Sequence, residues 1–94
     1  MKLTPEQINQ IIEGLENKET ILIAIHEQNE KHNNTVRKLK NGKYKNRFCE
    51  GKRFIENTAI TKDEFIDVLV ISGYKFTFEL VTINKDKSET RTKI

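Results

Sequence analysis

Apolar residues near the start of the chain recur at intervals of three and four, which is the spacing of one face of an α-helix. The members of this stripe are Ile8, Ile11, Ile12 and Leu15. Thr4 precedes the stripe, Pro5 suits the first helical position, and Gln7 completes a capping box with Thr4. The pattern therefore predicts a helix that begins after Thr4 and ends near Asn17.

Residues 20–34 fit two patterns. Ile21, Ile23 and Ile25 alternate with other residues as in a β-strand, but the segment also follows a three–four helical spacing. Glu27 and Lys31 form an i,i+4 pair in the order that favours a helix. We therefore predict a second helix from about Thr20 to near Lys31, packed antiparallel on the first as a helical hairpin. A continuous helix to Lys40 is the alternative.

The next segment predicts a β-hairpin, because Asn41-Gly42 is the strongest two-residue type I′ turn signal. In the register set by that turn, Lys38 faces Lys45. One face then holds Leu39, Tyr44 and Phe48. The other face holds Lys38, Lys40, Lys43, Lys45 and Arg47. Since like charges directly opposite each other destabilise a sheet, this hairpin is expected either to be well supported elsewhere in the fold or to bind an anion.

The C-terminal half predicts one helix and two strands. Thr61 and Glu64 form a second capping box, and residues 65–70 are apolar almost all round, which predicts a largely buried helix. Residues 74–84 are rich in aromatic and β-branched residues and predict a strand. Residues 89–94 predict a charged edge strand or a frayed tail.

These elements together predict a single α+β domain over residues 1–94. Its parts are an N-terminal helical hairpin, a small antiparallel β-sheet of four strands, and one further buried helix. The content of 35% hydrophobic and 33% charged residues argues against both a disordered chain and a membrane protein. A single cysteine and an N-terminus without a signal-peptide pattern predict a cytoplasmic location.

Positive charge is concentrated in one segment of the chain. Residues 35–53 hold eight basic residues and one acidic residue, a net charge of +7, whereas residues 1–34 carry −3 and residues 54–94 carry −1. Basic residues interleaved with aromatic residues are typical of nucleic-acid contacts. The predicted nucleic-acid or anion-binding residues are Arg37, Lys38, Lys40, Lys43, Tyr44, Lys45, Arg47, Phe48, Lys52 and Arg53.

Other candidate chemistry has a simpler interpretation. His26 and His32 are six residues apart, whereas metal-binding pairs on helices use a spacing of three or four. Cys49 has no catalytic partner at a recognisable spacing and is interpreted as a structural residue. Asp63 and Asp67 lie four residues apart, one helical turn. The favourable position of Asp63 at the start of a helix already explains that residue, so the pair is weak evidence for catalysis. We therefore predict no catalytic residue, no metal site and no cofactor.

The predicted function is non-enzymatic binding of an RNA or DNA backbone in the cytoplasm through the basic segment. The alternative is an inhibitor of the kind that small AT-rich phage or mobile-element genes encode. Such an inhibitor would bind an acidic host protein surface or sequester a phosphorylated small ligand, and would act as a homo-oligomer. Neither hypothesis involves a membrane.

Overall fold

The computed structural model of the protein describes the backbone of residues 2–50 and 53–94, and the side chains of residues 2–28, 33–48 and 57–94. The elements in chain order are α1 (Pro5–Gly14), β1 (Thr20–His26), β2 (Asn29–Lys38), β3 (Tyr44–Glu50), β4 (Arg53–Glu56), α2 (Lys62–Ser72), β5 (Phe76–Ile83) and β6 (Glu89–Lys93). The strands form one sheet in the order β4-β3-β2-β1-β5-β6, and every pairing is antiparallel. The predicted α+β class is confirmed.

Helix α1 has the predicted cap. The Thr4 hydroxyl accepts a hydrogen bond from the Gln7 amide at 3.2 Å, and the Gln7 side chain accepts one from the Thr4 amide at 2.8 Å. The buried residues of its stripe are Ile11, Ile12 and Leu15. The helix ends at Gly14, where an added Cβ would lie 2.7 Å from Leu80 Cδ1. The absence of a side chain at Gly14 therefore brings the end of α1 close to β5.

The predicted second helix is wrong, and so is the alternative of one long helix. Residues 20–26 form β1, which lies in the middle of the sheet between β2 and β5. A central strand is paired on both sides, and its alternating isoleucines suit that position. Leu22 and Ala24 of this strand are buried in the core, so strand alternation rather than helical spacing decided the structure. The N-terminal helical hairpin therefore does not exist.

The predicted β2–β3 hairpin is present, but its turn differs. Leu39 and Lys43 close a three-residue loop, with the Leu39 amide donating to the Lys43 carbonyl at 2.8 Å and the Gly42 amide donating to the Leu39 carbonyl at 3.0 Å. Gly42 has φ = 83°, a left-handed conformation that favours glycine. The loop is therefore of the three-residue kind that ends with a left-handed residue, and not the predicted two-residue type I′ turn.

The extra loop residue shifts the register by one position. Lys38 pairs with Tyr44, and Arg37 pairs with Lys45, whereas the two-residue turn predicted Lys38 opposite Lys45. A shift of one residue moves the side chains of one strand to the opposite face relative to its partner. The predicted basic face, with Lys38 and Lys45 side by side, is therefore wrong.

Helix α2 has the predicted cap but not the predicted burial. The Thr61 hydroxyl accepts from the Glu64 amide at 3.2 Å, and the Glu64 carboxylate accepts from the Thr61 amide at 3.1 Å. Phe65 and Leu69 are buried in the core. Ile66 is half-buried against the core, and three further apolar residues of the helix are exposed: Val68 by 49%, Val70 by 39% and Ile71 by 74%. The expectation of a largely buried helix is therefore wrong for most of its circumference.

The two faces of the sheet have different surroundings. We call the face that packs against the helices the core face, and the opposite face the outer face. The core combines buried residues of both helices with Leu22, Ala24, Val36, Tyr44, Phe78 and Leu80 of the sheet. Strand alternation places Ile21, Ile23 and Val81 on the outer face, and neither helix of the described chain packs there.

The β5–β6 hairpin follows its prediction more closely. The expected strand over residues 74–84 is present as Phe76–Ile83, and β6 is an edge strand with every residue exposed. Its loop is closed by Asn84 and Ser88, with the Asn84 amide donating to the Ser88 carbonyl at 2.8 Å. Lys87 in this loop has φ = 69°, the same left-handed conformation that Gly42 adopts in the other hairpin.

Candidate anion-binding site and apolar cavity

Part of the basic segment surrounds a shallow depression on the outer face. The depression has a volume of about 180 Å3 and is lined by Ile21, Thr35, Val36, Arg37, Lys45 and Arg47. We call it the basic depression. It spans β1, β2 and β3, so its shape depends on the register of three strands. It contains three of the ten predicted binding residues.

The register brings the cationic groups of the basic depression together. Arg37 pairs directly with Lys45, and Thr35 pairs with Arg47 one same-face position further along. Side chains that face each other across two antiparallel strands have their Cβ atoms about 5 Å apart. The Thr35 hydroxyl donates a hydrogen bond to the Arg47 carbonyl at 3.4 Å, which joins the strands at this point. A pair of like charges in cross-strand register therefore exists, but it joins Arg37 and Lys45.

Lys38 lies on the other side of the sheet. It shares the core-face side with its partner Tyr44, and its ammonium group forms an ion pair with the Glu16 carboxylate that follows α1. The hydrogen bond to Glu16 raises the pKa of Lys38 above its ordinary value. Lys38 is thus neutralised within the protein and does not belong to the basic depression.

Lys40 and Lys43 are exposed residues beside the hairpin loop. Hydrogen bonds with the Thr61 backbone and side chain lower the pKa of the Glu64 carboxyl at the start of α2, and the charge of Lys43 adds to that lowering. Neither lysine lines the basic depression.

Tyr44 lies in the core rather than on the outer face. It is 1% exposed, and its ring stacks on Phe65 with a centroid distance of 4.5 Å and an interplanar angle of 20°. Its buried hydroxyl has no hydrogen-bond partner among the described residues. Burial raises the pKa of the Tyr44 phenol above its ordinary value. Tyr44 therefore stabilises the fold, and its ring is not available to stack on a base.

The structure gives less information about the remaining predicted residues, which are Phe48, Lys52 and Arg53. Phe48 is half-buried and pairs with Asn34, on the same side of the sheet as Tyr44. Lys52 lies outside the described residues, and Arg53 is described only by its backbone, which begins β4. Cys49 likewise is described by its backbone in β3.

A second feature, an apolar cavity between α2 and the core face, was missed by the sequence reasoning. Its volume is about 530 Å3. Its apolar lining consists of Leu22, Ala24, Val36, Tyr44, Ile60, Phe65, Val68, Leu69, Phe76 and Phe78. Its polar lining consists of Asn34, Asn46, Asn57, Thr58 and Ser72. One signal in the sequence could have indicated it, namely that α2 carries more apolar surface than one buried stripe requires.

In the described part of the chain, no group of three or more His, Cys, Asp and Glu side chains is placed to hold a metal ion. No helix among the described residues is long and apolar enough to cross a membrane.

Comparison of the chain with protein-family models, with curated proteins and with solved structures finds no match. The geometry of the basic depression and of the apolar cavity is therefore the basis for inferring a function.

Proposed function

We propose that this protein is a non-enzymatic binding domain that contacts the phosphate backbone of RNA or DNA through the basic depression. The observation that carries the proposal is the grouping of Arg37, Lys45 and Arg47 around one depression on the outer face of the sheet. Guanidinium and ammonium groups form strong, charge-assisted hydrogen bonds with phosphate oxygens.

The binding would have low sequence specificity. Contacts from arginine and lysine to phosphates position a nucleic acid but do not read its bases. The aromatic residue expected to add stacking, Tyr44, lies in the core, and the described side chains that line the basic depression include no aromatic ring. Apolar contact from Ile21 to a sugar is the remaining short-range contribution. The affinity should then be dominated by counterion release and should fall steeply with salt.

A second candidate function is supported by the size of the depression. A concave site of about 180 Å3 surrounded by cationic groups is suited to one phosphate group rather than to an extended strand. This favours a phosphorylated small molecule as the alternative ligand. The two candidates share the chemistry of phosphate recognition and differ in how affinity depends on ligand length.

A length series of ligands tests the proposal. The series comprises inorganic phosphate, a mononucleotide, and single- and double-stranded oligonucleotides of increasing length, titrated at several salt concentrations. We expect affinity to rise with length, and the slope of log K against log salt to steepen with it. Saturation at the mononucleotide would instead support the phosphorylated small molecule. Absence of binding throughout the series would contradict both candidates and leave an acidic protein surface to be tested.

Charge reversal at Arg37 locates the site. Arg37→Glu should lower oligonucleotide affinity at least about tenfold and reduce the salt slope by about one, since one phosphate contact is lost and an acid is added. The matched control is Arg91→Glu, which makes the same charge change on β6. Arg91 already lies 3.6 Å from Glu79 and 3.2 Å from Glu89, so it contributes little net charge. Equal losses of affinity in both variants would show that overall charge, not the depression, controls binding.

A further inference from the structure

We propose that the cavity between α2 and the core face is a binding site for a small, uncharged and mainly apolar molecule with a single hydrogen-bonding group. The site is independent of the basic depression, because it lies on the opposite face of the sheet. Three features of the cavity support this site: its volume, the chemistry of its lining and its opening to solvent.

The volume and lining suit a small molecule. About 530 Å3 falls within the roughly 300–1,000 Å3 that is typical of small-molecule sites. The walls are aliphatic and aromatic side chains from one helix and four strands, with Phe65 and Leu69 of α2 above the sheet residues Leu22 and Phe78. Ala24 contributes a short side chain to the floor, which leaves room where a larger residue would fill the space. Apolar surface of this extent gains free energy when a hydrocarbon body displaces water.

The described part of the lining does not favour a charged ligand. None of the described side chains that line the cavity is charged. An ion transferred to such surroundings would lose its hydration without gaining a partner, which is far more costly than transferring a neutral group. The phosphate ligands of the proposed function therefore do not fit this cavity, and its ligand belongs to a different chemical class.

The polar residues of the lining indicate which polar group the ligand carries. The Asn57 side-chain amide donates to the Asn46 side-chain carbonyl at 2.7 Å, and Asn34 and Thr58 also line the cavity. The Ser72 hydroxyl donates to the Val68 carbonyl at 2.7 Å, so its oxygen can still accept a hydrogen bond. Amide and hydroxyl groups of this kind recognise an alcohol, ketone, ester or amide. The predicted ligand is thus a hydrocarbon or aromatic body that carries one such group.

The cavity opens to solvent beside α2. Val68, Asn57 and Thr58 line the cavity and are themselves exposed, Val68 by 49%. A ligand can therefore enter between the helix and the strands without unfolding the core. The same helix also exposes Val70 and Ile71, which do not line the cavity, and this outer surface is the competing site for any apolar probe.

Fluorescent dyes provide the first test. The neutral probe phenylnaphthylamine should bind the full chain with saturation at one dye per chain. The charged dye anilinonaphthalene sulfonate should bind at least about tenfold more weakly. Decanol should displace the neutral probe, whereas decanoate at neutral pH should not. Failure of the neutral probe to bind, or equal displacement by decanol and decanoate, would overturn the proposal.

A matched pair of valine substitutions separates the cavity from the outer surface of the helix. Val68→Phe places a ring at the cavity opening and should reduce affinity for phenylnaphthylamine at least about tenfold. Val70→Phe makes the same change on the same helix, outside the cavity, and should leave affinity within about twofold. Circular dichroism and thermal melts establish that both variants fold. Equal affinities in the two variants would show that the dye binds the exposed helix surface, which contradicts the proposal.

Discussion

The two hairpins of the sheet, β2–β3 and β5–β6, use the same kind of loop. Each is closed by a pair of backbone hydrogen bonds around three loop residues, and the last loop residue has a positive φ, 83° at Gly42 and 69° at Lys87. Because the backbones correspond, differences between the hairpins come from their side chains. The comparison thus isolates what the side chains on each face contribute.

On the outer face, the two hairpins differ in how their charged residues are paired across the strands. In β5–β6 the basic residues face acids: Lys93 pairs with Glu79, and Arg91 lies within 3.6 Å of Glu79 and 3.2 Å of Glu89. In β2–β3, Arg37 faces Lys45. One hairpin balances its outer-face charge within itself, whereas the other places like charges together. The grouping of Arg37, Lys45 and Arg47 around one depression is the reason for proposing an external anion at β2–β3 rather than at β5–β6.

On the core face, the hairpins differ in burial. Tyr44 of β3 is 1% exposed and stacks on Phe65, whereas Thr92 of β6 is exposed. A basic stretch of sequence therefore does not by itself form a basic surface. Strand alternation sends neighbouring residues such as Tyr44 and Lys45 to opposite faces, so the fold divides the segment among the core face, the outer face and the loop.

The largest expected effect tests the difference in core-face burial between the two hairpins. Tyr44→Ala should lower the free energy of unfolding by about 3–5 kcal/mol, because it removes a buried ring and leaves a cavity. Thr92→Ala, on the exposed edge strand, should change it by less than about 0.5 kcal/mol. Tyr44→Phe keeps the stack on Phe65 and removes a hydroxyl without a partner in the described chain, so stability should be equal or higher. Urea denaturation measures all three, and similar losses for Tyr44→Ala and Thr92→Ala would contradict the burial difference.

The second prediction tests whether the two loops are equivalent. Gly42→Val should cost about 1–2 kcal/mol, because a side chain is strained at positive φ although nothing lies within 4 Å of its Cβ. Lys87→Gly should relieve the same strain in the other loop and raise stability by up to about 1 kcal/mol. Thermal unfolding of both variants is the measurement. Gly42→Asn is the control, since asparagine tolerates this conformation and should cost less than valine. A gain in stability from Gly42→Val, or a loss of stability from Lys87→Gly, would contradict the equivalence of the two loops.

The smallest expected effect concerns charge on the outer face. Arg37→Glu converts a like-charge pair into an opposite-charge pair with Lys45, and should raise stability by about 0.2–1 kcal/mol. Arg91→Glu adds an acid beside Glu79 and Glu89 and should lower stability by a similar amount. Denaturation at low and high salt measures both effects, which should shrink as salt screens them. Destabilisation by Arg37→Glu at low salt would mean that the Arg37–Lys45 repulsion is already relieved within the protein.

Only part of the candidate site could be predicted from the sequence. The existence of a hairpin around Gly42 was correctly predicted, because turn signals are local. The members of the site were not correctly grouped, because the loop contains three residues and not two. One additional loop residue shifted the register, separated Lys38 from Lys45, and brought Arg37 opposite Lys45 instead. The apolar cavity was not predicted at all, since it depends on how far α2 lies from the sheet.

The sequence by itself determined the features that depend on neighbours along the chain. The capping boxes at Thr4 and Thr61 and the final strand pair are of this kind, because their hydrogen bonds and turns involve residues a few positions apart. Tertiary structure decided the rest. Residues 20–26 carry both helical and strand periodicity, and they became a strand because pairing with β2 and β5 satisfies their backbone on both sides. The stacking of Tyr44 on Phe65 holds the hairpin in the register that buries this ring, and no local signal contains that long-range contact.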